Sequence, residues 1–85
     1  MTVKEIFEKV YGGEEDYKLI KLWSKESIGH EGYAISLRDY GIIVEFSVGS
    51  SGIYDASSKG DLLSNASELE RWIKFLNAVK KERRS

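Results

Sequence analysis

Eighty-five residues make a single domain spanning 1–85, and a chain this short buries roughly 60–65% of its unfolded surface, which leaves a modest core. Apolar residues at 41% and charged residues at 32% fit a globular protein, and the absence of cysteine excludes disulfides, thiol chemistry and Cys-based zinc sites. The net charge of −1 hides an asymmetry: residues 71–85 hold six basic groups against Glu82, a local +5, and the rest of the chain sums to −6.

Thr2-Val3-Lys4-Glu5 has the form of a capping box, in which a Thr hydroxyl and a Glu carboxylate each satisfy an orphan amide. Val3, Ile6, Phe7 and Val10 follow at helical spacing, so residues 3–11 are expected to form a short amphipathic helix ended by Gly12-Gly13. Glu14, Glu15 and Asp16 make an acidic connector.

From Tyr17 the period changes to two. Tyr17, Leu19, Lys21 and Trp23 fall on one side of a strand, with Lys18, Ile20 and Leu22 on the other. Gly29, His30, Glu31 and Gly32 supply a turn, which makes His30 a surface residue. A second strand over 33–38 alternates Tyr33, Ile35 and Leu37 with Ala34, Ser36 and Arg38. After the hairpin turn Asp39-Tyr40-Gly41, the third strand sets Ile42, Val44, Phe46 and Val48 against Ile43, Glu45 and Ser47. Gly49-Ser50-Ser51-Gly52 reads as a hairpin loop before a fourth strand from Ile53 to Ala56. Short loops between successive strands point to an antiparallel meander over 17–56.

The longest helix is expected over 62–82, starting near Leu62 or at a second capping box, Ser67-Glu68-Leu69-Glu70, with a basic tail at 83–85. Leu69, Trp72, Leu76 and Val79, with Ile73 beside them, form the stripe expected to face the sheet, and Arg71, Lys74, Ala78 and Lys81 an outer basic face. Cations near a helix C-terminus also match its macrodipole, which is a structural reason for the same cluster. The resulting fold class is α+β: a four-stranded antiparallel meander with a short N-terminal and a long C-terminal helix on one face, α-β-β-β-β-α.

Several chemistries find little support. His30 is the only histidine, and no Gly-x-Ser-x-Gly elbow occurs, so a non-enzymatic role is expected. Without cysteine and with one histidine, a transition-metal site would be mostly carboxylate, so neither metal nor cofactor is expected. The stretch from Asp55 to Asp61 resembles a calcium loop, but Lys59 and Ala66 stand where ligands are needed. Gly49-Ser50-Ser51-Gly52 lacks the helix and lysine of a phosphate loop. The apolar run Ile42–Val44 is far shorter than the ~20 residues of a membrane span, and Met1–Glu5 is unlike a signal peptide, so a cytoplasmic protein without membrane contact is expected. Absent glutamine and cysteine, a single methionine and plentiful Lys and Glu match a thermophilic source, an expectation that a melting point near ~50 °C would contradict.

Two binding roles follow from the surplus of aromatic and aliphatic side chains. The first is single-stranded DNA or RNA binding. Bases would stack on Trp23, Tyr40 and Tyr54, with Lys18, Arg38, Arg71 and Lys74 as the cations that meet phosphates. In element order alone the chain resembles Whirly proteins and archaeal single-strand-binding proteins, a likeness that carries no residue over. The second is a protein-interaction or self-assembly module, such as a homodimer, built on an uncovered sheet face of Ile20, Leu22 and Ile43.

Overall fold

A computed structural model describes residues 1–12, 16–58 and 65–84. Glu14 and Glu15 of the expected connector, the alternative helix start at Leu62 and the terminal Ser85 lie outside these residues. The elements run α1 (Val3–Tyr11), β1 (Tyr17–Lys25), β2 (His30–Leu37), β3 (Gly41–Gly49), β4 (Gly52–Ser58) and α2 (Ala66–Arg84). All neighbouring strands are antiparallel and the sheet order is β1-β2-β3-β4, the meander that the short loops predict.

Both helices start as their caps dictate, though the second cap is not the predicted one. The Glu5 amide donates to the Thr2 hydroxyl at 3.2 Å, and the Thr2 amide donates to the Glu5 carboxylate at 3.0 Å, completing the capping box of α1. At α2, Asn65 takes the capping role: its side-chain oxygen accepts from the Ser67 amide at 3.0 Å and from the Ser67 hydroxyl at 2.8 Å. Ser67 therefore sits inside the first turn, not before it, and Arg83 belongs to the helix instead of a tail.

The core lies between one face of the sheet and both helices. Val3, Ile6 and Phe7 of α1 and Trp72, Phe75 and Val79 of α2 pack with Tyr33, Ile35, Val44, Phe46 and Val48. Its centre is a ring cluster in which Phe75 lies 5.5–6.3 Å, centroid to centroid, from Phe7, Tyr11, Phe46 and Trp72. Such pairs each add about 0.5–1.5 kcal/mol beyond their buried area. Phe75 is fully sealed, whereas Leu69 and Ile73, expected in the sheet-facing stripe, are exposed. The inward stripe is Trp72, Phe75 and Val79, because tight aromatic packing fixes the roll of α2 about its axis.

Three irregularities break the strand alternation, and two of them move predicted residues to the opposite face. Ile35 pairs with Val44 and Ser36 with Ile42, which leaves Ile43 as an extra residue on β3. The bulge turns Ile43 into the core, where it is 1% exposed, and puts Ile42 opposite Ser36 on the other face. The expected open-face trio thus loses Ile43, while Ile20 and Leu22 remain exposed. On β1, Lys21 pairs with Tyr33 and Trp23 with Gly32, so Leu22 is the extra residue and Trp23 leaves the Tyr17–Leu19–Lys21 side. The third irregularity, on β4, contains Asp55 with φ +53°. No described helix is long and apolar enough to cross a membrane.

Candidate nucleic-acid interface

The sheet face turned away from the helix layer is assembled row by row from the strand register. One row runs Lys18–Ser36–Ile42, the next Ile20–Ala34–Glu45–Ser57, and the third Trp23–Gly32–Ser47–Tyr54. Beyond these, Lys25 pairs with His30. In the third row the two rings stand on the edge strands with only Gly32 and Ser47 between them, so that row forms a shallow trough.

Two glycines let the rings lie down on it. A Cβ on Gly32 would fall 2.1 Å from Trp23 Nε1 and 2.3 Å from Cε2, so the pyrrole half of the indole rests directly over the glycine. A Cβ on Gly49 would fall 2.8 Å from Tyr54 Cε1 and 3.2 Å from His30 Nε2. The Tyr54 and His30 rings meet edge to face with centroids 5.1 Å apart. With the imidazole proton on Nε2, the Tyr54 hydroxyl donates to Nδ1. Aromatic cover of strand glycines stabilises a sheet by itself, which is the purely structural account of both contacts. It leaves Trp23 at 41% and Tyr54 at 38% exposure, so each ring still offers surface to a ligand.

Among the described residues the charges on this face are few. Lys18 and Lys25 stand toward its two ends and Glu45 near its middle. Arg38 follows β2, with its guanidinium 3.4 Å from the Asp16 carboxylate and its backbone amide donating to the Asp16 carbonyl at 3.0 Å. Tyr40, 68% exposed, occupies the adjoining turn, its amide bonded to the Leu37 carbonyl at 2.9 Å.

Arg71 and Lys74 are elsewhere. The Arg71 guanidinium lies over the rings of Tyr11 and Tyr17, 5.8 and 5.3 Å from their centroids, on the helix side of the sheet. The Tyr17 hydroxyl donates to Glu68, and burial, reinforced by the charges of Glu68 and Tyr17, pushes the Tyr11 phenol well above its ordinary range. Arg71 is therefore half-buried in a junction between α1, β1 and α2, while Lys74 is exposed beside Val10, Ser67 and Glu70.

The seven residues singled out from the sequence fall into three groups. Lys18, Trp23 and Tyr54 share the open face, Arg38 and Tyr40 mark its hairpin end, and Arg71 and Lys74 belong to the helix layer. His30 and Lys25 are the members that sequence reasoning missed. His30 is the first residue of β2, not part of a turn, and its ring partner lies 24 positions away. For His30, the glycine at position 49 of a strand is the signal that could have pointed to a ring lying over it. Comparison with known proteins finds no matching family model, curated protein or solved structure.

Proposed function

We propose that the open sheet face binds single-stranded nucleic acid by stacking unpaired bases on Trp23 and on the His30–Tyr54 pair. What supports this reading is one observation: both ring systems rest on glycines on the side that the helices leave bare, with their outer surfaces free. A flat ring beside small neighbours accepts any base, because every base has a π-face, and each stack contributes about 1–3 kcal/mol. Lys18 and Lys25 supply the salt-sensitive part. Arg71 is occupied by its tyrosines and has no part in this surface; Lys74 is on the opposite layer.

The test is a fluorescence titration with oligo-dT. At about 20 mM salt, binding should quench Trp23, and Trp23→Ala should weaken affinity by the ~1–3 kcal/mol of one stack, roughly 5- to 150-fold. An unquenched protein at that salt would remove the proposal.

The alternative is a self-assembly or protein-interaction module, for which Ile20 and Leu22 are exposed apolar groups on β1. Pairing through sheet edges is opposed by the bulge and the three lysines of β1 and by the left-handed Asp55 on β4, devices that blunt an edge. Light scattering across micromolar concentrations separates the two: a mass above one chain favours self-assembly.

A further inference from the structure

A second feature of the same face is a hollow of about 330 Å³ at its hairpin end, lined by Asp16, Lys18, Ser36, Leu37, Arg38 and Gly41. Two of its six residues are cationic and one more carries a hydroxyl, a donor set that suits a phosphate oxygen. Lys18 and Ser36 are cross-strand partners, so the hollow lies one row from Ile20–Ala34 and two rows from Trp23–Gly32 on the same face. Gly41, at φ +73°, turns the chain tightly there, and nothing lies within 4 Å of the position a Cβ would take, which leaves the rim open.

We infer that this hollow is the phosphodiester subsite of the open face, gripping the backbone of a strand whose bases lie on Trp23 and Tyr54. The inference rests on the proposed nucleic-acid role. From Ser36 to Gly32 is four strand residues, about 13 Å. Stacked nucleotides rise ~3.4 Å each, so about four of them, or fewer when extended, join the two subsites. Between the two subsites the strand would run along β1 and β2, and it would cross toward Tyr54 on β4 only at the Trp23 row. Asp16 is the internal competitor: its carboxylate holds Arg38 at 3.4 Å, with both side chains more than half exposed, a pair weak enough for a phosphate to displace.

The experiment uses the whole chain, an oligo-dT of about ten nucleotides and a salt series. Lys18→Ala combined with Arg38→Ala should reduce the slope of log affinity against log salt by about 1.4, two contacts at ~0.7 each, and weaken low-salt binding roughly tenfold. Quenching of Trp23 at saturation should be unchanged, and circular dichroism should report an intact fold. Asp16→Asn should do the reverse, tightening binding about threefold by freeing Arg38. A double variant that keeps the wild-type slope, or an Asp16→Asn that binds no tighter, overturns the subsite while leaving the stacking platform in place. Absence of quenching in the wild-type protein overturns the platform and this inference together.

Discussion

Gly32→Ala is the sharpest probe of how Trp23 is held. The added methyl would fall 2.1 Å from Trp23 Nε1, far inside any tolerated contact, so the indole must lift off the strand. Trp23 hides about three-fifths of a side chain of ~250 Å², or ~150 Å². Returning half of that to water costs ~2 kcal/mol at ~25 cal/mol per Å². Alanine offsets ~0.5–1 kcal/mol through its lower backbone entropy in a strand, so the net loss should be about 1–1.5 kcal/mol. Urea unfolding measures the loss. Tryptophan emission should shift to the red, since Trp72 is sealed in the core and only Trp23 changes its surroundings. Oligonucleotide binding should weaken along with it, because the displaced ring is no longer preorganised. An unchanged or higher urea midpoint with unshifted emission would refute the placement of the indole over Gly32.

Two more predictions concern the core and its titration. Phe75→Ala should cost about 3–5 kcal/mol, since the ring is fully buried among four aromatic neighbours, whereas Leu69→Ala should stay within ~0.5 kcal/mol at its exposed site. Equal effects in urea titrations would mean that α2 is rolled the other way. Burial, then the hydrogen bond that the Tyr33 hydroxyl donates to Glu31 and the charge of that carboxylate, push the Tyr33 phenol up from 10 to about 12. Between those values the folded chain keeps a proton that the unfolded chain has lost. Tyr33 therefore gives its full stability below pH 10 and loses it as pH rises toward 12. Urea midpoints should fall through that window, and Tyr33→Phe should flatten the fall; a decline equally steep in the variant would assign it to other groups.

The legible parts of the fold were those governed by short-range rules. Thr2 and Glu5 specify the start of α1, and the period of two from Tyr17 onward, broken by Asp39-Tyr40-Gly41 and Gly49-Ser50-Ser51-Gly52, specifies four strands in a meander. Alternation failed where a bulge inserted one residue. Near Lys21 it carried Trp23 to the bare face, and near Ile35 it carried Ile43 into the core. A bulge depends on how two distant strands match their registers and twist, and neither strand encodes that alone.

The same division holds for the candidate site. Trp23, Tyr54 and Lys18 were recognisable as side chains in excess of what a small core needs, but Arg71 was not separable from them, because its partners Tyr11 and Tyr17 come from other elements. His30 looked isolated until β3 and β4 brought Gly49 beneath it and Tyr54 beside it. Local sequence determined the element types and their order, since capping, turn chemistry and hydrophobic period act over a few residues. Which side chains share a surface was decided only by tertiary structure, because register, bulges and the roll of α2 are set by packing among residues tens of positions apart.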